Sequence, residues 1–300
     1  LYSLYRTARQ MGTEELSALW AVCAMPVFLL SAGVYYLPEN LDYGGGSAEE
    51  FCLPFLAGAL WLSAIQGKQN RWTARALAGV GALAGAVFQM KFNLTLFFAG
   101  LLVPEFFRLF RSGVGQTVRA GGWCVLGFGG SLVPYTLYAG ATHSLDAYIR
   151  AYFCFNASYA RGSAVSVWTL VRRTGSAAWN TVCGTPVLAA ALAAFFVGIV
   201  VLMRREGGDR CLPPFAAFAA LGTAVFAGRV MPYTLLPLLL SAFYGFLALS
   251  QMVSSVKPKG AARILLVLFL AAMLRNQMLC CKPVFWRAAP TCQEQLAERI

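Results

Sequence analysis

Charge is scarce in this chain. Only 12% of its 300 residues are Asp, Glu, Lys or Arg, with 12 acids in all, and histidine occurs once, at His143. An average soluble domain is about a quarter charged, so a water-facing surface of ordinary size cannot be assembled from this composition. One histidine, with nine cysteines that form no C-x-x-C pair, leaves no zinc-ribbon or histidine-rich metal site to propose. Most of these cysteines read as small apolar residues. A disulfide among Cys154, Cys280, Cys281 and Cys292, which fall outside the apolar runs, stays open.

What is abundant is apolar sequence: 59% of residues are hydrophobic and the mean hydropathy is +0.63. The apolar residues come in long blocks parted by short basic connections, and lipid supplies the solvent that such blocks require. Runs near the length that crosses a bilayer, about 20 residues, are Leu16 to Leu37, Phe51 to Ile65, Ala74 to Met90, Leu94 to Phe107, Ala120 to Ala141, Thr181 to Met203, Leu212 to Ala227, Pro232 to Val253 and Ala261 to Leu274. Lipid offers the backbone no hydrogen bonds, so each run is expected to be helical. The fold class is therefore an all-α polytopic integral membrane protein of about nine transmembrane helices. The third and fourth runs are short, and a re-entrant hairpin is the alternative for that pair.

The net charge of +12 would suggest nucleic acid as a partner in a soluble protein, but here the cations sort by loop. Lys68, Arg71 and Arg75, then Arg108, Arg111 and Arg119, then Arg204, Arg205 and Arg210, then Lys257, Lys259 and Arg263 occupy alternate connections. By the positive-inside rule these loops are cytoplasmic. The opposite face receives residues 38 to 50, the turn around Lys91, the segment from Thr142 to Asn180, the turn from Gly228 to Met231 and the C-terminal tail.

The outward-facing polar residues are the candidates for function. Gly44 to Gly46 precede Ser47, Glu49 and Glu50 at the mouth of a span. Ser47 and Glu50 have capping-box spacing and acids suit a helix N-terminus, while a carboxylate there has functional uses too: holding a divalent metal, orienting a sugar hydroxyl, or acting as a base. Lys91, next to Asn93, either snorkels to the interface or meets a lipid phosphate. Arg229, beside Tyr233, either anchors the interface or grips phosphate oxygens in a bidentate way. The segment from Thr142 to Asn180 has aromatic and apolar residues at helical spacing and reads as an interfacial amphipathic helix. His143 and Asp146 then fall on its polar face or into a site. Asn93-Leu94-Thr95 and Asn156-Ala157-Ser158 match glycosylation sequons, which matter only in a eukaryotic secretory setting. Gly79 to Gly85 resembles a dinucleotide fingerprint, but it lies inside an apolar run with no strand before it, so Gly81 and Gly85 are read as close helix packing.

The order of these features resembles the GT-C superfamily of lipid-dependent glycosyltransferases, in particular bacterial relatives of protein mannosyltransferases and lipid A aminoarabinose transferases. The resemblance is one of pattern and covers most of the chain. It rests on Tyr5 to Arg9 before a span, Ser47 to Phe55 opening the next, Lys91-Phe92-Asn93 between two spans, Asp146 with Phe155, Asn156 and Tyr159, and Arg229 to Pro237. It implies transfer of a sugar from a polyprenyl-phosphate donor to an envelope lipid, polysaccharide or protein, on the outer face of a bacterial inner membrane. Glu49 and Glu50 would be the carboxylates present, with Lys91, Asn93, His143, Asp146, Arg229 and Tyr233 binding substrate, and a divalent metal in reserve. The family's acidic residue lies between its first two spans, and Leu1 to Gln10 here read as the end of the second. The expectation is a partial transmembrane domain over residues 1–274, including the outer loop 142–180, followed at 275–300 by the start of an outer domain. The alternative is a transporter or flippase for a lipid-linked or anionic substrate; the polar residues gather at one interface and no internal repeat is evident, which favours the enzyme.

Overall fold

The structure, a computed structural model, describes residues 1–31, 47–69, 72–154, 167–227 and 232–255, with scattered positions between 260 and 275. All regular elements among the described residues are helical. In chain order they are α1 (Tyr2–Gln10), α2 (Glu15–Ser31), α3 (Ala48–Gln69), α4 (Ala74–Met90), a 3₁₀ turn (Phe92–Thr95), α5 (Leu96–Ser112), α6 (Val114–Ala141), α7 (Leu145–Tyr148), a π-helical stretch (Ile149–Cys154), α8 (Val167–Gly184), α9 (Pro186–Glu206), α10 (Gly208–Phe226), a second 3₁₀ turn (Pro232–Leu235), α11 (Leu236–Leu239) and α12 (Ala242–Ser254).

Among the described residues four stretches are long and apolar enough to cross a membrane: Ala48–Gln69, Phe92–Ser112, Pro186–Glu206 and Leu236–Ser254. Glu15–Leu29 and Ala74–Met90 are apolar but shorter. The expectation of about nine spans is thus met in its class, a helical membrane protein, and among the described residues four of the spans reach that standard. Glycine dilutes the hydropathy of α6, and Asp209 and Arg210 open α10. The ninth expected run, Ala261 to Leu274, lies largely outside the described residues. Large apolar side chains stand exposed along α6, among them Val125, Leu126, Val133 and Leu137, where lipid rather than water is the compatible neighbour.

Glycine sets which helices touch. α4 packs along α6, α5 along α10 and α9 along α12. A Cβ on Gly81 would meet the Cys124 carbonyl, one on Gly85 the Phe128 carbonyl and the Ser131 hydroxyl, and one on Gly127 the Ala78 carbonyl. Backbones approach this closely only where side chains are absent, which bears out the packing reading of Gly81 and Gly85. Gly100 faces Ala216 and Ala220 across α5 and α10, and Gly198 and Gly245 do the same for α9 and α12. Between these pairs, Phe97, Phe195, Phe218 and Tyr244 form an edge-to-face cluster. At the opposite side of the bundle the Gln251 amide donates to the Met11 carbonyl and the Thr13 hydroxyl, tying α12 to the chain between α1 and α2.

Among the described residues, the segment expected along the interface as an amphipathic helix contains α7, the π-helical stretch and α8, and residues 155–166 lie outside the description. α8 continues through Asn180 to Gly184, and Pro186 opens α9 at its first turn. Proline suits that position because its missing N–H would have no helical partner there.

Candidate functional site

Two helices joined by a short connection place their far ends at one level. α3 runs from Ala48 to Gln69 and α4 returns from Ala74 to Met90. The turn between them is clasped: the Thr73 N–H donates to Gln66 Oε1 at 3.0 Å, and the Thr73 hydroxyl caps α4 by accepting from the Ala76 N–H at 3.2 Å. The start of α3 and the residue after α4 therefore meet. Lys91 Nζ lies 3.0 Å from Glu49 Oε1.

The pair is asymmetric. The Glu49 side chain is 2% exposed and that of Lys91 33%. The contact is an ion pair without hydrogen-bond alignment, so Glu49 Oε1 keeps no hydrogen-bond partner among the described residues. A buried carboxylate requires a counter-charge, and Lys91 supplies it from a side chain that is itself one-third exposed. Lys91 is held there by its backbone, extended at φ −155° between α4 and the 3₁₀ turn.

Glu50 faces a different task. The Glu50 N–H donates to Ser47 Oγ at 3.4 Å, while the Ser47 N–H and hydroxyl donate to Glu50 Oε1 at 3.5 and 3.3 Å. This reciprocal arrangement is a capping box, as the spacing of the two residues predicts. It fixes the first turn of α3, which carries Glu49.

Aromatic residues close the cluster. The π-helical stretch lies over the end of α4, and the Tyr152 hydroxyl donates to the Phe88 carbonyl. The Tyr152 ring meets Phe88 and Phe92, on either side of Lys91 in sequence, at centroid distances of 6.0 and 6.4 Å. Tyr148 stacks on Tyr152 at 5.5 Å. Burial, and then Tyr148, push the Tyr152 phenol up to about 12, against a lowering hydrogen bond with the Phe92 backbone. Cys52, in α3, is within electrostatic reach of both Glu49 and Lys91. Asn93 Oδ1 and Thr95 Oγ1 are buried in the 3₁₀ turn without a partner among the described residues. Such acceptors are uncommon in a settled structure, where buried polar atoms are nearly always bonded.

The other expected site residues are not gathered here by any described contact. His143 is exposed at φ 52° just beyond α6, its N–H donating to the Gly140 carbonyl. Asp146 pairs with Arg150 at 2.9 Å on the surface, both about three-quarters exposed, a geometry worth little energetically. Arg229 lies outside the described residues, as do Cys280, Cys281, Cys292 and the sequon at Asn156. Tyr233 belongs to the second 3₁₀ turn. Among the described residues no group of three or more His, Cys, Asp or Glu is disposed to hold a metal ion.

Sequence reasoning named Glu49 and Lys91 separately and missed Phe88 and Tyr152. The four-residue spacing of Tyr148 and Tyr152, on a segment assigned to the same face as Lys91, was the available signal. Comparison of the chain with family models, curated proteins and solved structures finds no match.

Proposed function

We propose that this integral membrane protein is a glycosyltransferase that moves a sugar from a polyprenyl-phosphate donor to an envelope lipid, polysaccharide or protein on the face opposite the basic loops. The observation that carries the reading is the Glu49–Lys91 pair. In the reaction an acceptor hydroxyl attacks the anomeric carbon, the bond from that carbon to the phosphate oxygen breaks, and polyprenyl phosphate departs, taking up the hydroxyl proton through solvent. Charge builds on the leaving phosphate, and a fixed cation at that point lowers the barrier.

Lys91 suits that task because Glu49 holds it in place while a third of the lysine side chain stays exposed. The Ser47–Glu50 capping box fixes the turn that carries Glu49. Asn93 Oδ1 and Thr95 Oγ1, unpartnered within the described residues, are acceptors next in sequence for sugar or acceptor hydroxyls. Arg229, His143, Asp146 and Tyr233 remain candidate binding residues, and a divalent metal a candidate cofactor.

The test is release of polyprenyl phosphate from a labelled donor by the purified protein in lipid nanodiscs. Lys91→Ala should lower kcat at least tenfold with a smaller change in KM, since the cation acts most strongly on the transition state. Unchanged turnover in Lys91→Ala would remove Lys91 from the reaction. Translocation of an intact donor without bond cleavage would favour the transporter alternative.

A further inference from the structure

The opposite end of the bundle, where the basic loops lie, holds a groove that the proposed reaction does not use. It consists of two adjoining cavities of about 500 and 750 Å³ on either side of α5, with Trp72, Glu105, Arg108 and Ser112 lining both. Arg111 and Asp209 face the smaller cavity, and Arg119 and Trp123 the larger.

We propose that this groove holds the phosphodiester head group of an anionic phospholipid from the leaflet on the side of the basic loops. Three features carry the assignment. The first is preorganised guanidinium: Glu105, 6% exposed, holds Arg108 through a 2.8 Å ion pair, and Arg111 lies over the Phe107 ring at 4.4 Å. Planar guanidinium forks match phosphate oxygens, and holding them in place beforehand removes most of the ordering cost of binding. The second is charge: three arginines face two carboxylates, and one of those carboxylates is already engaged by Arg108. Asp209 is left as an acceptor for head-group hydroxyls.

The third feature separates a lipid from free phosphate. Val103, Phe107 and Phe110 are each more than half exposed and recur at i, i+4 and i+7 on α5. That spacing makes one apolar stripe. It leads along the helix to Phe107, which lines the smaller cavity and carries Arg111. An acyl chain on this stripe delivers its phosphate to the arginines. Trp72 and Trp123 at the groove suit the boundary between hydrocarbon and head groups. Basic pockets between membrane helices on the cytoplasmic side are a known setting for anionic head groups.

The experiment is native mass spectrometry of the intact protein in detergent, titrated separately with phosphatidylglycerol, phosphatidylcholine, phosphatidylethanolamine and inorganic phosphate. Phosphatidylglycerol should be retained at least tenfold more strongly than either zwitterionic lipid. Inorganic phosphate at millimolar concentration should not displace it. The Arg108→Gln/Arg111→Gln double variant should lose that preference, and Arg111→Lys, which keeps the charge but loses the fork and its stacking, should weaken retention several-fold. Arg204→Gln/Arg205→Gln, on the same face but outside the groove, should retain lipid like the parent. Equal retention of the three lipids, displacement by free phosphate, or equal losses in the two double variants would each overturn the proposal. If the Arg108→Gln/Arg111→Gln protein fails to fold, unchanged retention in Arg111→Lys would overturn it.

Discussion

Removing the Lys91 ammonium should destabilise the fold more than removing the Glu49 charge. Glu49 is 2% exposed, so in Lys91→Met its carboxylate is stranded without a counter-ion. Stranding one member of a fully buried pair costs about 3–5 kcal/mol; Lys91 is one-third exposed, which places the expected loss near the lower bound, about 3 kcal/mol. Glu49→Gln leaves a lysine that reaches water by rotating its stem, at a cost of about 1 kcal/mol. The double variant carries neither charge and should recover most of the difference, giving a coupling of about 2–3 kcal/mol in a double-mutant cycle. The assay is thermal unfolding in one detergent at pH 7, followed by intrinsic fluorescence, with chemical denaturation to convert midpoints to free energies. Equal losses in the two single variants, or a coupling below about 0.5 kcal/mol, within the scatter of independent sites, would refute the idea that Lys91 is held by a buried carboxylate.

Gly81→Val should disrupt the α4–α6 contact, because its Cβ would overlap the Cys124 carbonyl; a loss of about 3 kcal/mol or more is expected. Gly122→Ala, which meets open space on α6, should leave the unfolding midpoint nearly unchanged, and equal effects of the two would contradict the packing. Tyr152 offers a test by pH: its phenol is raised from 10.0 to about 12, by burial first and then by Tyr148. The folded value exceeds the unfolded one, so this contribution to stability is whole below pH 10 and is lost as pH rises through about 12. Tyr152→Phe should flatten the fall in unfolding midpoint across that window, and identical slopes would count against the buried phenol.

The helical membrane class was legible because lipid leaves the backbone one local solution and the apolar blocks announce it. Boundaries were less so. α6 starts at Val114, carrying Arg119 into the helix, because Gly113 at φ 147° is where the chain turns. A charge beside an apolar run looks like the start of a loop, yet at the interface a helix accommodates it by directing the head group to water. Arg172 and Arg173 mislead in the same way within α8. Small residues announced close packing at Gly81 and Gly85, but not that the partner would be α6 rather than the adjoining α5; that choice depends on Gly127 meeting Ala78 across the pair. Glu105 was overlooked because it lies inside an apolar run, near its end, although an acid there is itself a signal that a cation must be close.

The two ends of the bundle solve one electrostatic problem in the same way. Glu49 and Glu105 are buried, at 2% and 6% exposure, and each holds a cation, Lys91 or Arg108, that is 33% or 42% exposed. A carboxylate placed inside fixes where the cation stands but also cancels its net charge. Neither pair alone therefore attracts an anion from a distance, and each acts by holding a cation in place for contact. Long-range attraction has to come from unpaired cations nearby. At the basic end Arg111 and Arg119 serve that purpose. At the other end the corresponding candidate is Arg229, which the charge pattern assigns to the same face as Lys91. Binding at the basic end should therefore weaken with added salt through the loss of that attraction, while Lys91→Ala should alter turnover with little change in its salt dependence. A salt dependence lost together with Lys91 would mean that Lys91 itself supplies the attraction, and that Glu49 does not neutralise it.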